Sequence, residues 1–430
     1  MRHGREARFF ACAIGWRRTN LTMLASRQKT FRVAVRRYPP FERAIEEQWA
    51  AFERDARTGL RLEIGAFEVQ ELEHELLGTD ALRNGDWDVC FVNTDWVAAL
   101  HRRSSVMDLA PMLESTPPPD WPEGWTPSMR RLQCVDGAVL GMPYHDGPEC
   151  LILRKDLFEN REHRDRFRAQ AGRDLAAPRT WQEFHEVANY FTDPAHNLYG
   201  SAFAALPDGH NSVYDFLLQL WTRGGELFGA DSAVRFDTKE AEAALEFYRA
   251  ILSDRSAVHP KCAEMDSVRL GQSFAAGELA MMVNWFGFAT AAHTGPESRV
   301  RDRVMVAPVP SDAGHQSVSL NVYWLLSIGA GSPHAEVAWG FLRLVAAPEM
   351  DRLTTLTGAI GCRRSTWNDD EVNSRIPFYR VMEELHSQAR EVPSRPDWPQ
   401  IASGIDWLVT NTIRSVRPVR ELLQEVQSRF

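Results

Sequence analysis

The sequence is poor in lysine, has no clustered cysteine and contains no long apolar run. Its cations are almost all arginine, the lysines being Lys29, Lys155, Lys239 and Lys261. We read this as a coding bias and not as a site. Lys+Arg total 49 against 58 Asp+Glu, a net charge of −9, so the basic surface that non-specific nucleic-acid binding requires is missing. The six cysteines, Cys12, Cys90, Cys134, Cys150, Cys262 and Cys362, stand far apart with no Cys-x-x-Cys. A chain of 430 residues buries a core without disulfide staples, and isolated thiols are expected. No stretch approaches the ~18 apolar residues of a membrane span. Catalytic signatures are missing too. There is no Gly-x-Ser-x-Gly and no phosphate-binding loop, and His185-Glu186-Val187-Ala188-Asn189 lacks the second histidine of a zinc-protease helix. No cofactor and no metal are expected.

What the chain has in excess is tryptophan, 14 residues. An indole offers a broad apolar face and one N–H donor, which suits stacking on a ligand as well as core packing. The amino terminus is harder to read. Arg2, Arg5 and Arg8 precede the apolar run Phe9 to Trp16, and Arg17-Arg18 follow it. This weakly echoes a lipoprotein or twin-arginine signal, but neither has its full hydrophobic stretch. Residues 1–30 are taken as an extension, a degenerate signal or a mis-assigned start.

From Phe31 onward the pattern alternates between strand and helix. Phe31 to Val35 alternates with period two. Phe41, Ile45, Trp49, Phe52 and Ala56 mark one helix face, and Leu60 to Ile64 reads as a second strand. A helix over 72–82 and a covered strand over 88–92 follow. Residues 115–128 are rich in proline and exclude regular structure. Asp136-Gly137 signals a tight hairpin. Thr180-Trp181-Gln182-Glu183 is a capping box opening a helix. Helices over 213–223, from 237 and up to Gly277 come next, then strands over 279–283, 304–308 and 323–328. Ser332-Pro333 reads as a helix start, Pro348 starts another helix, and the tail is helical with a break at Pro418. This is an α/β architecture.

Six segments, in order, resemble the family 1 extracellular solute-binding proteins of ABC importers, relatives of the maltose-binding protein. They are "DVCFVNTDWVAAL…SSVMDLAPML", "GAVLGMPYHDGPECLILRKDLFE", "TWQEFHEVA", "FDTKEAEAALEFYRAIL" with "FAAGELAMMVNWFGFA", "YWLLSIGAGSPHAEVAWGFLRLVAAPE" and "GAIGCRRSTWND". Two departures stand out: Leu153 replaces a usual aromatic, and Cys362 a usual proline. The resemblance implies a periplasmic-binding-protein-like type II fold, with two α/β lobes around a hinge and a ligand cleft. Lobe 1 would span 31–143 plus 317–355, and lobe 2 144–316 plus 356–430. It further implies a monomeric, non-enzymatic, periplasmic protein that hands a small carbohydrate to the transmembrane subunits of an ABC permease.

Carbohydrate recognition needs aromatic faces for sugar C–H surfaces and polar side chains for hydroxyls. Loops at the carboxyl ends of strands are where α/β proteins gather ligands. The candidates are Tyr38, Phe41 and Glu42 after the first strand, and Asn93, Asp95 and Trp96 after the strand ending at Val92. His145, Asp146 and Glu149 lie at the first crossing and Asn284 and Trp285 after the second-lobe strand. Asn321, Tyr323 and Trp324 lie at the return, with Arg364 in the last loop. Each has a structural alternative: core packing for the tryptophans, a turn or helix cap for Asp95 and Asp146, a first-turn acid for Glu42, and an ion pair with Asp369 or Asp370 for Arg364. Two other functions stay open here. One is a glycan-active enzyme, with two of Asp95, Asp146 and Glu149 as paired carboxylates. The other is a cytoplasmic sugar sensor of the same fold.

Overall fold

A computed structural model describes residues 29–393, 395 and 397–430. Of the extension expected over 1–30, the two signal echoes and Cys12 lie outside the described residues. In chain order the strands are β1 (Thr30–Arg36), β2 (Arg61–Phe67), β3 (Val89–Asn93), β4 (Cys134–Val135), β5 (Ala138–Val139), β6 (Met142–His145), β7 (Glu149–Arg154), β8 (Met281–Trp285), β9 (Val304–Ala307), β10 (Ser319–Asn321), β11 (Trp324–Ile328) and β12 (Ala389–Glu391). The chain divides into two units. Unit 1 holds the described residues to Gly124, then Gln133–His145 and Trp324–Ala359. Unit 2 holds Trp125–Leu132, Asp146–Tyr323 and Ile360–Phe430.

Unit 1 is built on a five-stranded sheet in the order β2-β1-β3-β11-β6. β1 pairs in parallel with β2 and β3, whereas β11 runs antiparallel to β3 and β6. Residues 31 and 33–35 of β1 are fully buried, as a strand covered on both faces requires. The helix Pro39–Ala56 opens with proline in its first turn and buries Phe41, Ala44, Ile45, Gln48 and Trp49. Phe31 stacks on Trp49 at 4.5 Å and 16°, so the strand and the helix after it share one core. The helix expected over 72–82 is shorter: Val69–Glu73 passes into a wider turn, His74–Gly78, and ends there. Asp136 and Gly137 both take positive φ, 51° and 86°, in the hairpin of β4 and β5.

Unit 2 contains the antiparallel sheet β8-β7-β9 and the parallel pair β10-β12. The helix Trp181–Phe191 is capped by Thr180, whose Oγ1 accepts from the Glu183 N–H at 3.1 Å. The Glu183 carboxylate reaches back one residue further than the capping box expects, to the Arg179 N–H at 2.7 Å. The helix Ala335–Val345 of unit 1 starts later than expected. Ser332 Oγ accepts from the His334 N–H and donates to Asp88, leaving His334 at the cap. The tail forms helices Trp398–Arg414 and Val419–Gln427 on either side of Pro418.

The units differ from the expected lobes at several edges, each with a local cause. Trp125–Leu132, expected in the first lobe, belongs to unit 2: Arg363 lies 4.4 Å over the Trp125 ring, Ser128 meets His386 and Arg131 pairs with Glu391. Residues 317–323 also fall in unit 2, because β10 pairs with β12. Tyr144 and His145 fall in unit 1, where β6 pairs with β11. So do residues 356–359, held by Tyr38 and Arg43, which donate to the carbonyls of Gly358 and Thr357. Of the described cysteines, Cys90, Cys150, Cys262 and Cys362 are buried and Cys134 is exposed. No helix among the described residues is long and apolar enough to cross a membrane.

Candidate functional site

Unit 1 brings seven of the sequence candidates to one end of its sheet. β1 and β3 run in the same direction and end at Arg36 and Asn93, so the loops after both emerge on the same side. β11 begins there, with Trp324 opposite Asn93 on one neighbour and His145 on the other. Trp96, in the short turn Thr94–Trp96, meets Trp324 edge to face at 5.6 Å and 89°. Phe41 meets the His145 ring at 4.7 Å and Tyr38 at 5.0 Å. Arg36 lies 5.8 Å over the Trp324 ring. The result is an aromatic floor carrying a guanidinium, with Asn93 and Asp95 on the adjoining turn.

The individual environments differ. Tyr38 is half-buried; its hydroxyl donates to the Gly358 carbonyl at 3.2 Å, and burial pushes its pKa up against Arg36 and Arg43. His145 is pushed down to about 3, first by burial and then by Arg36, so the imidazole is neutral. Asn93 uses its side-chain oxygen to accept from the Asp95 N–H at 3.0 Å. Phe41, Trp96 and Trp324 are buried at 1%, 3% and 6% exposure, and Trp96 Nε1 has no hydrogen-bond partner among the described residues. Glu42 sits in the first turn of Pro39–Ala56, where the helix dipole favours an acid.

In unit 2 the candidates are more dispersed. Trp285 ends β8, is half-exposed and meets Tyr214 edge to face at 5.5 Å and 90°. Asn284 is fully engaged internally: its Nδ2 donates to the Ser267 carbonyl at 2.9 Å and its Oδ1 accepts from the Trp285 N–H at 2.8 Å. Glu149 stands opposite Trp285 on β7 and is buried. Asn321 and Tyr323 are fully buried, and neither Nδ2 nor Oδ1 of Asn321 is bonded among the described residues. Arg364 is exposed and paired with Glu383 through Nε at 3.0 Å, in place of the Asp369 or Asp370 partner anticipated.

Asp146 belongs to a buried relay. Its Oδ2 lies 2.6 Å from His386 Nε2, and His386 Nδ1 lies 3.0 Å from Ser128 Oγ. The imidazole stacks on Trp367 at 4.6 Å and 13°, and Trp367 Nε1 donates to the Gly361 carbonyl. Asp146 Oδ1 has no partner among the described residues. The order of groups is that of a hydrolase triad, but the ring nitrogens are exchanged: the carboxylate takes Nε2 and the hydroxyl Nδ1. With Ser128 buried at 3% exposure, the relay holds segments together and offers no open nucleophile.

Sequence reading missed Arg36, Ser128, Tyr214, Asp215, Tyr248, Trp367 and His386. Asp215 alone carried a signal, as an acid within the apolar run Val213–Leu218. No group of three or more His, Cys, Asp or Glu among the described residues is placed to hold a metal ion.

With this geometry in hand, the chain was compared with known proteins. A family model described as bacterial extracellular solute-binding protein matches residues 38–351. Among solved structures, maltose-bound MalE3 of T. maritima is similar with a TM-score of 0.80 at 19% identity, covering 93% of this chain and 98% of that one. An ABC transporter solute-binding protein from Agrobacterium radiobacter K84, in complex with ribitol, gives 0.80 at 20% identity, covering 93% and 97%. Another from Thermotoga lettingae TMO, bound with α-D-tagatose, gives 0.78 at 20%, covering 93% and 98%. Identities at this level speak to the fold, which is the α/β periplasmic-binding-protein fold expected from the sequence.

Proposed function

This chain belongs to the bacterial extracellular solute-binding protein family, and on that premise we propose that it is the solute-binding component of an ABC importer for a mono- or oligosaccharide or a polyol. The family binds solutes and is non-catalytic, so the glycan-cleaving alternative is set aside. The observation that carries the solute class is the strand-end cluster of unit 1. Half-buried Tyr38 supplies an accessible ring and the packed Trp96 and Trp324 an aromatic floor, while Asn93, Asp95, His145 and Arg36 bring polar groups to the same strand ends. That combination matches a ring with apolar C–H faces and a rim of hydroxyls. Maltose and tagatose in the structurally similar proteins are such rings, and ribitol, an open-chain polyol, shares their hydroxyls. On unit 2, Trp285 is a further stacking candidate, half-exposed beside Tyr214. Delivery of the solute to permease subunits and a periplasmic location complete the proposal.

A thermal-shift panel of maltose, ribitol, D-mannitol and α-D-tagatose tests it. A solute at a hundred times its Kd adds about 2.7 kcal/mol, a shift of several degrees. At least one member of the panel should give it, and Trp324→Ala and Trp285→Ala should each reduce it. No shift across the panel, with a clear shift for an amino acid or peptide, would overturn the solute class.

A further inference from the structure

An acid pair is buried in unit 2 with no cation of the described residues against it. Glu149 opens β7 at 5% exposure, and Asp215 lies in the middle of the helix Asn211–Trp221 at 9%. The Tyr248 hydroxyl, from the helix Lys239–Ser253, donates to Asp215 Oδ2 at 2.5 Å. Buried Glu149 Oε2 has no hydrogen-bond partner among the described residues. The titratable groups acting on the pair are Tyr248 and Asp208, with Cys150 and Cys262 beside them. Tyr214, one residue before Asp215, approaches His210, and Asp406 of the helix Trp398–Arg414 bonds to Ser212. The arginines of this region are engaged elsewhere: Arg223 on Gln219 and Asp312, Arg249 on the carbonyls of Thr412 and Arg417, and Arg255 on that of Pro260. β10, also packed here, brings only Ser319, Leu320 and Asn321.

A carboxylate oxygen shut away from water, cations and donors is stabilised only by carrying a proton. We propose that Glu149 and Asp215 form a proton-binding site inside unit 2, filled in the folded protein in acid and emptied stepwise as pH rises, so that this unit is held together best in an acidic exterior.

Direction and order both support this. Burial raises Asp215 from 3.8 to about 7, with the Tyr248 bond opposing and Asp208 assisting. Burial raises Glu149 well above the ordinary carboxyl range, and the Asp215 charge adds to it. Asp215 therefore releases its proton first, and the resulting charge holds the remaining proton on Glu149. Between the ordinary carboxyl pKa and about 7 the folded state binds more protons than the unfolded one. Stability from this site thus falls as pH rises through that window.

Urea unfolding of the full chain, wild type against Asp215→Asn and Glu149→Gln, tests the site without any solute, so its outcome is separate from the sugar reading. An amide mimics the protonated carboxyl. The wild-type folding constant relative to Asp215→Asn should fall by up to about tenfold per pH unit from about pH 5 to 7. A ratio constant across that range overturns the proposal. Should Asp215→Asn not fold, the infrared carbonyl band of a protonated carboxyl decides. It should be present in the wild type at about pH 6 and weakened in Glu149→Gln, where Asp215 alone still carries a proton; its absence from the wild type overturns the proposal.

Discussion

Replacing His386 by alanine removes the centre of the relay that joins three distant segments of unit 2. His386 Nε2 holds Asp146 at 2.6 Å, Nδ1 holds Ser128 at 3.0 Å, and the ring covers Trp367 at 4.6 Å. The side chains of His386 and Asp146 are 1% and 0% exposed, so little solvent stands ready to replace what is lost. Asp146 Oδ1 already lacks a partner among the described residues, and the deletion strips Oδ2 of its imidazole donor too. Removing one member of a buried charged or hydrogen-bonded pair costs about 3–5 kcal/mol. The Ser128 bond contributes about 1 kcal/mol and the stack about 0.5–1.5 kcal/mol. These overlap, because one ring makes all three contacts, and a loss of about 4 kcal/mol is expected. Asp146→Asn should cost less, since its amide oxygen still accepts from Nε2–H. Urea unfolding of His386→Ala, Asp146→Ala and the double variant gives the coupling, expected at about 2 kcal/mol. A His386→Ala loss under about 1 kcal/mol, or strictly additive single losses, would show that the relay does not hold these segments.

Two further outcomes follow from named positions. His145 is held neutral down to about pH 3 by burial and then by Arg36, so the unfolded chain binds its proton first as pH falls below the ordinary 6.5. His145→Asn should therefore flatten the acid limb of the stability profile, and an unchanged limb in acid titration would count against this environment. At Gly200 a Cβ would lie 1.9 Å from the Ala188 carbonyl oxygen and 2.3 Å from its carbon. Backbone atoms cannot swing aside, so Gly200→Ala should push the helix Trp181–Phe191 outward at about 3 kcal/mol or more. Gly287→Ala, whose Cβ would meet only Ile360 at 3.8 Å, should be neutral or slightly stabilising in the same melting assay.

Much of the local structure was legible from residue order. Alternation located β1, three- and four-residue spacing located the helix Pro39–Ala56, Asp136-Gly137 located the hairpin of β4 and β5, and Pro418 located the break in the tail. These signals are local, because strand and helix periods and turn conformations are set by a few neighbouring residues. Where competing local contacts intervened, the reading slipped. The helix from Val69 ended early at Gly78, and Ser332 spent its hydroxyl on Asp88 and the His334 N–H and did not become the cap.

The sequence by itself determined the α/β alternation, the family resemblance, the poverty of cations other than arginine and the pool of aromatic and acidic candidates. Tertiary structure decided which of them meet. Ser128 and His386 are 258 positions apart and Asp146 and His386 240, and no periodicity spans such distances. Arg364 turned to Glu383, Trp125–Leu132 joined unit 2 by packing on Arg363, His386 and Glu391, and Arg36 came to lie over Trp324. The same holds for Asp215. Its residue type announces a charge, but burial, with Asp208 adding to it, pushes its pKa up to about 7, and burial is a property of the assembled chain.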